Sequence, residues 1–233
     1  MPLGASITKG YGTTPINSPN GYRKPLREQL RSRGWPVNMV GSESDGDSYT
    51  FSNRQHEGHY GNTVAAMIAW SELTIPRMPN VVLINAGTND AAGVNNSITA
   101  QAPSLMYKTI NHLYENIPGV TIILSTLTPR RDKFNPNVNL INKGYRNLYR
   151  YLTNAGMKIV LAEMNNGLLD PRTDYFDDIH PNDLGAQKMA TVWDQAIGVA
   201  EERGFLSPPI DTGIPDTEDE DSDGILEKAP GPE

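Results

Sequence analysis

Short apolar segments alternate with longer amphipathic segments from the first residues of the chain to about residue 206. The short apolar runs predict β-strands. They lie at Met1–Leu3, Val37–Val40, Val81–Ala86, Val120–Leu124 and Met157–Ala162. The longer segments have the period of a helix. They lie near Tyr22–Arg33, Thr63–Leu73, Ile98–Asn116, Leu140–Asn154 and Leu184–Arg203.

The repeated order of strand and helix predicts the fold class. Val81–Ala86 is apolar on both faces, as is typical of a parallel strand that is covered by helices on each side. Right-handed crossovers then produce a three-layer α/β/α sandwich with a central parallel sheet of about five strands. Met1–Leu3 is short for a central strand, so we expect a few upstream residues in the natural protein.

The composition narrows the protein class. No apolar run approaches the eighteen or so residues of a membrane span, which excludes an integral membrane protein. The absence of cysteine excludes disulfide scaffolds and thiol nucleophiles. The net charge of −7 belongs to the segment after residue 210, which has nine acidic residues and one lysine. The remainder is nearly neutral without a basic stripe, so a nucleic-acid partner is not expected.

The change in composition also predicts two parts, a folded domain over residues 1–206 and an acidic linker or tail with several prolines over residues 207–233. Asp219–Ile225 matches the first half of an EF-hand loop. Position 12 of that loop, where a bidentate Glu belongs, is Pro230. We therefore expect a solvated linker rather than a complete calcium site.

Polar residues follow several of the predicted strands, where ligands bind in open parallel sheets. Gly4–Thr8 places Ser6 on a tight turn after the first strand, and Gly87–Asp90 carries Asn89 after the third. The loop 56–62 precedes the second helix, and the loop 177–183 precedes the last one. We expect these four segments at one edge of the sheet.

In order and spacing, the four segments resemble the blocks of the SGNH (GDSL-type) hydrolases, which supply a Ser, a Gly, an Asn and a His. The resemblance covers about residues 1–205. Within that family, Gly21–Arg23, Val40–Ser42 and His56–Gly61 are most similar to the acetylxylan-esterase type, carbohydrate esterase family 3. One departure is Ala5, because the first block of the family usually has Asp at that position. The departure puts in doubt the hydrogen bonds that normally hold the nucleophile turn.

The chemistry of these residues agrees with a catalytic role. A serine hydroxyl such as that of Ser6 needs a base to remove its proton. His180 is the natural base, because histidine ordinarily has a pKa of about 6.5. Asp177 can accept the Nδ1–H bond of that ring. Asp178 is an alternative acceptor, but the family position favours Asp177. Ser6, His180 and Asp177 are therefore the predicted catalytic residues.

The oxyanion of the tetrahedral intermediate needs hydrogen-bond donors that are already in place. The predicted donors are the backbone N–H groups of Ser6 and Gly61 and the side-chain amide of Asn89. Tyr60 and His59 are predicted to contact substrate. His56, Glu57 and His59 do not make a convincing metal site without a firm fourth ligand. We therefore expect neither a metal nor a cofactor.

The resemblance implies a secreted serine esterase that removes O-acetyl groups from a polysaccharide such as xylan through an acyl-enzyme. The same site in a lysophospholipase, a thioesterase, a pectin-side-chain acetylesterase or another small-ester hydrolase is one alternative. The polar loop 42–60 favours carbohydrate over lipid, so no membrane partner is expected. A carbohydrate-binding module without turnover is the second alternative, and Ala5 is the feature in its favour. The oligomeric state stays open.

Overall fold

A six-stranded sheet separates two layers of helices in the computed structural model, which describes residues 1–93 and 96–214. The strands are β1 (Pro2–Gly4), β2 (Glu43–Ser44), β3 (Gln55–Gly58), β4 (Val81–Asn85), β5 (Thr121–Ser125) and β6 (Ile159–Ala162). Their order across the sheet is β2-β3-β1-β4-β5-β6. All neighbours are parallel except β2, which is antiparallel to β3. The predicted three-layer α/β fold is confirmed, with six strands instead of about five.

Seven α-helices are described: α1 (Ser6–Lys9), α2 (Arg23–Ser32), α3 (Met67–Ser71), α4 (Thr88–Ala91), α5 (Asn96–Asn116), α6 (Asn135–Asn154) and α7 (Asp183–Glu202). Successive side chains of a strand point to opposite faces of the sheet. Val82 and Ile84 therefore pack with α3, α5 and α6 on one face, whereas Leu83 packs with α2 and α7 on the other. The apolar character of β4 on both faces follows from these two cores.

The prediction of a strand at Val37–Val40 is wrong. Met39 makes only an isolated bridge with Arg54, and the apolar side chains of this segment pack against the two cores without joining the sheet. The place beside β1 belongs to β3, whose sequence is Gln-His-Glu-Gly. Its His56 and Glu57 are fully buried among polar groups, so no apolar run marks this strand.

The predicted helix at Thr63–Leu73 is shorter and interrupted. A turn of 3₁₀ helix covers Val64–Ala66, and α3 follows it. The buried carboxylate of Asp90 accepts hydrogen bonds from the backbone N–H of Val64 at 3.0 and 3.3 Å. This contact fixes the beginning of the segment to the turn after β4.

The carboxyl end of β1 is the point at which the topology of the sheet reverses. The chain passes from β1 to β3 on one side and then crosses to β4 on the other. Gly4 ends β1 where a Cβ atom would lie 2.3 Å from both the carbonyl oxygen of Asn85 and Oγ1 of Thr8. Only glycine fits there, and Ser6 lies two residues further along the chain. Ligands of open α/β sheets bind at such a point.

After α7 the chain stays in contact with the folded body as far as Ser207. Oγ1 of Thr121 donates a hydrogen bond to the carbonyl of Phe205, and Nδ2 of Asn80 donates one to the carbonyl of Ser207. Within the described part of the chain, no helix has the length and apolarity needed to cross a membrane. The acidic segment 219–225 lies outside the described residues.

Candidate active site

Ser6 is the first residue of α1, in the strand-to-helix turn that follows β1. Its own backbone N–H lies in the first turn, where helix N–H groups have no partner within the helix. The carbonyl of Ser6 accepts hydrogen bonds from the N–H groups of Gly10 and Tyr11, both at 2.9 Å. Gly10 has a φ of 101° and ends the helix after four residues. This short helix holds the hydroxyl of Ser6 at the carboxyl edge of the sheet.

The Ser6 hydroxyl lies 2.8 Å from Nε2 of His180. On the other side of the ring, Nδ1 lies 2.8 Å from Oδ2 and 3.0 Å from Oδ1 of Asp177. The Nδ1–H bond to a carboxylate leaves Nε2 unprotonated, so Nε2 accepts the hydrogen bond from Ser6. The three side chains therefore form one continuous chain of hydrogen bonds.

The carboxylate of Asp177 is fixed by its own loop. Its Oδ1 accepts the backbone N–H groups of Ile179 at 2.8 Å and of His180 at 2.7 Å. Partial burial opposes the charge, but these two bonds and the contact with the His180 ring hold the pKa of Asp177 below its usual value. The group that orients the histidine is thus ionised at neutral pH.

Asp178, the alternative acceptor, has a different partner. Its Oδ1 lies 3.2 Å from Nε of Arg131, and its carbonyl accepts the backbone N–H of Arg131 at 2.9 Å. These two contacts tie the histidine loop to the loop after β5. The structure therefore places Asp177, and not Asp178, against the His180 ring.

The side-chain amide of Asn89 lies in α4, directly after the carboxyl end of β4. Its Nδ2 donates a hydrogen bond of 2.8 Å to the carbonyl of Asn62. A primary amide has two N–H donors, and this contact uses one of them. Gly61 precedes Asn62 and has a φ of 70°, a conformation that favours glycine. The contact joins the two loops that carry two of the predicted oxyanion donors.

Three side chains from the β5–α6 region hold the turn that carries Asn89. Nη1 of Arg130 donates to the carbonyl of Thr88 at 2.7 Å, and Arg130 is itself held by a two-point contact with Asp132 at 3.0 and 2.5 Å. Tyr145 and Asn137 donate to the carbonyls of Ala86 and Ala91, each at 2.8 Å. Sequence reasoning missed Arg130, because no local pattern links the loop after β5 to the turn after β4.

The two residues predicted to contact substrate occupy different environments. Tyr60 is half exposed and makes an edge-to-face contact with Tyr11 at 5.8 Å between ring centroids. His59 is buried, stacks on Trp70 at 3.7 Å, and its Nε2 lies 2.8 Å from Oε2 of Glu57. These contacts give His59 a place in the interior, and a substrate contact by His59 stays a prediction.

The polar residues of β3 have protein partners. Glu57 also accepts hydrogen bonds from the backbone N–H and the hydroxyl of Ser42 at 2.6 and 2.9 Å. Nδ1 of His56 accepts the N–H of Gly58, so its proton is on Nε2, which lies 3.3 Å from Asp45. Burial, together with the nearby Arg23 charge, lowers the pKa of His56 to about 3. His56 is therefore neutral, and it faces a carboxylate rather than the site.

A buried arginine holds the carboxyl-terminal end of α1, the helix that begins with Ser6. The guanidinium of Arg23 is fully buried, and burial lowers its pKa to about 10. It donates hydrogen bonds of 2.7 to 3.0 Å to five carbonyls, which belong to Thr8, Lys9, Pro19, Asp45 and Arg54. The motif Gly21–Arg23 contained this residue, but no local pattern indicates that Arg23 joins α1 to two loops.

Two further aromatic residues lie beside His180, and the sequence did not single them out. The ring of Tyr11 lies 4.6 Å from the His180 ring, at 62° to it. Phe176 makes an edge-to-face contact with Tyr11 at 5.9 Å. The position of Phe176 beside Asp177 was the one local signal that could have drawn attention to it.

Comparison with known proteins agrees with this geometry. A model of the GDSL-like lipase/acylhydrolase family matches residues 3–188. A multidomain esterase of Ruminococcus flavefaciens is 26% identical over 219 residues. The match covers 83% of this chain and 27% of that protein, so the chain spans only about a quarter of the length of this relative.

Solved structures with the same fold include two carbohydrate esterases. The family 3 carbohydrate esterase of Clostridium thermocellum has a TM-score of 0.71 and 23% identity, and the match covers 89% of this chain and 98% of that one. A family 3 carbohydrate esterase from Talaromyces cellulolyticus has a TM-score of 0.67 and 22% identity, with coverage of 87% and 97%. Both likenesses concern the fold.

Proposed function

Because the chain belongs to the GDSL-like lipase/acylhydrolase family, we propose that it is a serine esterase that removes O-acetyl groups from a polysaccharide such as xylan. The observation that carries the proposal is the hydrogen-bond chain from Asp177 through His180 to Ser6. A nucleophile, a base and a group that orients the base are within contact distance, as acyl transfer requires. No step calls for a metal or a cofactor.

The reaction begins when Oγ of Ser6 attacks the ester carbonyl and Nε2 of His180 takes its proton. The carbonyl oxygen becomes an oxyanion, which accepts hydrogen bonds from the N–H groups of Ser6 and Gly61 and from the second amide hydrogen of Asn89. His180 then gives the proton to the alcohol oxygen as the carbon–oxygen bond breaks. The products of this half-reaction are the free alcohol and an acetyl ester on Ser6.

Deacylation repeats these steps with water. His180 removes a proton from a water molecule, whose oxygen attacks the acetyl carbonyl, and the proton passes to Oγ of Ser6 as acetate leaves. Asp177 remains a carboxylate throughout and stabilises the imidazolium that forms twice in each turnover. Its lowered pKa supports this role.

Three observations support a carbohydrate ester over a lipid. The loop 42–60 next to the site is rich in Ser, Asp, Glu, Asn and Arg. A large apolar cavity of about 430 Å³ is present, but it is lined by Met1, Pro2 and Val81, which lie at the amino-terminal ends of β1 and β4. Ser6 lies at the carboxyl end of β1, so this cavity opens at the edge opposite the nucleophile. The fold is also shared with structures described as carbohydrate esterases.

The decisive experiment measures acetate release from acetylated xylan and hydrolysis of 4-nitrophenyl acetate by the wild type and Ser6→Ala. We expect the wild type to hydrolyse both esters and Ser6→Ala to lose about a thousandfold or more in kcat. Ser104→Ala is the matched control, because its exposed hydroxyl donates to the Gln101 carbonyl of its own helix at 2.9 Å. Activity on 4-nitrophenyl acetate alone would indicate that the natural substrate belongs to another class of ester.

The same assay tests the second alternative, a binding module without turnover. Ala5 contributes no hydrogen bond to cap α1, unlike a carboxylate at that position. If neither ester is hydrolysed in a manner that depends on Ser6, the esterase proposal is wrong. Binding of a xylo-oligosaccharide by the wild type and by Ser6→Ala would then favour the binding module.

The domain organisation and the extracellular location of the enzyme are also proposals. Multidomain organisation in the esterase of Ruminococcus flavefaciens supports the interpretation of residues 207–233 as a linker to a further module. Secretion fits a polymeric substrate, which does not enter a cell. Immunodetection in culture medium and in cell extract of the source organism would test it.

A further inference from the structure

Three aromatic side chains, Tyr11, Tyr60 and Phe176, lie together at the surface beside the catalytic histidine. They are 42%, 52% and 54% exposed. Tyr11 is the central member, with Tyr60 at 5.8 Å and 90° on one side and Phe176 at 5.9 Å and 86° on the other. We call these three residues the aromatic rim. Exposed aromatic side chains in one cluster are typical of a binding surface.

The rim belongs to the same structural unit as the reacting groups. The ring of Tyr11 lies 4.6 Å from that of His180, whose Nε2 is 2.8 Å from the Ser6 hydroxyl. The backbone N–H of Phe176 donates to the carbonyl of His180 at 2.8 Å. Gly12 closes the space between them, because a Cβ atom there would lie 2.9 Å from Cβ of Phe176 and 3.3 Å from Cβ of His180.

The position beside His180 identifies which half of the ester the rim faces. Nε2 of His180 delivers the proton to the departing alcohol oxygen. The oxyanion lies instead towards the backbone N–H of Gly61 and the side-chain amide of Asn89. Tyr11, whose ring contacts that of His180, therefore borders the alcohol half of the substrate, and Tyr60 and Phe176 extend this border through their edge-to-face contacts with Tyr11.

The outer member of the rim is held in place by charged groups. Nζ of Lys9 lies 5.3 Å from the centroid of the Tyr60 ring, within the range of a cation–π contact. Lys9 is in turn fixed by Glu43 at 2.6 Å and Asp45 at 2.7 Å. A ring that is already positioned loses little conformational entropy when a ligand binds to it.

We propose that the aromatic rim is the alcohol-side subsite of the enzyme and that it binds the C–H face of the pyranose ring that carries the ester. The proposal rests on the proposed esterase function. The axial C–H groups of a sugar with equatorial hydroxyls form an apolar face that matches the size of an aromatic ring, whereas an acyclic alcohol has no such face. Aromatic side chains provide apolar contact with a polar edge for the neighbouring hydroxyls.

The test compares two acetate esters that form the same acetyl-enzyme, a mono-acetylated methyl xyloside and ethyl acetate. The measured quantity is the ratio of kcat/KM for the xyloside to kcat/KM for ethyl acetate. This ratio removes any effect on the nucleophile or on deacylation, which the two substrates share. We expect Tyr60→Ala, whose ring does not contact His180, to lower the ratio about tenfold. Tyr11→Phe keeps the ring and is expected to retain the ratio within about twofold.

The chain contains a matched control for the loss of an exposed aromatic ring. Tyr151 is 60% exposed and makes an edge-to-face contact with Tyr107 at 5.9 Å, away from the site. Tyr151→Ala should leave the ratio at the wild-type value. An unchanged ratio in Tyr60→Ala, or an equal loss in Tyr151→Ala, would overturn the proposal.

The experiments distinguish an error in the proposed esterase function from an error in the assignment of the aromatic rim as a subsite. If neither ester is hydrolysed in a manner that depends on Ser6, the esterase function is wrong. Calorimetric titration of the wild type and Tyr60→Ala with xylotetraose then decides the subsite. Binding about tenfold weaker in Tyr60→Ala supports the rim, whereas equal binding overturns it.

Discussion

Replacing Asn89 by Ala removes an amide whose two hydrogens have separate partners. One is bound to the carbonyl of Asn62 at 2.8 Å, and the other is directed to the oxyanion in the proposed mechanism. The loss of one preorganised oxyanion donor typically lowers kcat by about 10²–10³, which corresponds to about 2.7–4 kcal/mol. We expect a loss of this size in kcat with little change in KM, because the bond strengthens only in the transition state.

The effect on stability should be much smaller. The folded protein loses one hydrogen bond to the carbonyl of Asn62, which is worth about 1 kcal/mol. For a chain of this length, such a change lowers Tm by about 2–4 °C. The variant therefore remains folded at the assay temperature. Kinetics with 4-nitrophenyl acetate and differential scanning calorimetry would measure the two effects separately.

Asn80→Ala is the matched control for the lost hydrogen bond. Asn80 also donates from Nδ2 to a backbone carbonyl, that of Ser207 at 2.7 Å, but on the opposite edge of the sheet. It should reproduce the decrease in Tm while kcat stays at the wild-type value. The assignment of Asn89 would be refuted if Asn89→Ala retained kcat within about threefold of the wild type.

Three further predictions concern the groups around the site. Asp177→Asn should lower kcat by about 10⁴-fold, because the amide stabilises the wrong tautomer of the histidine. Initial rates over a range of pH would measure the decrease in kcat, and a decrease of less than about tenfold would contradict the prediction. Arg130→Met removes the hydrogen bond to the carbonyl of Thr88 and should lower kcat about tenfold without changing KM. A decrease in Tm with no change in kcat would show that Arg130 does not position Asn89. The pKa of His56 is lowered to about 3, so below about pH 6.5 the unfolded chain binds a proton that the folded chain does not. Urea unfolding should therefore show stability that is complete above about pH 6.5 and decreases as the pH falls towards 3, and His56→Gln should make this decrease shallower.

The sequence predicted the strands that lie in apolar surroundings. β4, β5 and β6 differ from their predicted bounds by one or two residues, because helices cover both faces and the strands are continuously apolar. β3 was missed for the opposite reason. Its His56 and Glu57 are buried through polar partners rather than apolar contacts, so burial leaves no hydrophobic pattern.

For the site, the residues that could be predicted are those whose signal lies within one short segment of the chain. Ser6, Asp177 and His180 lie in short segments whose residue types and order are informative by themselves. Tyr11 borders the site through a contact with His180 near the other end of the chain, which no local pattern contains. Arg130 reaches the Asn89 turn in the same way, from the loop after a different strand.

The turn that carries Ser6 has Ala5 where related sequences usually have Asp, and other contacts hold it on both sides. Gly4 allows β1 to approach the carbonyl of Asn85, which sets where the turn begins. Four residues later, the buried guanidinium of Arg23 binds the carbonyls of Thr8 and Lys9, the last residues of α1. A charge-assisted bond to a buried carbonyl is stronger than a neutral one. The position of Ser6 is therefore determined by a strand before it and an arginine after it, and the Ala5 methyl group fills space in the interior without a polar role.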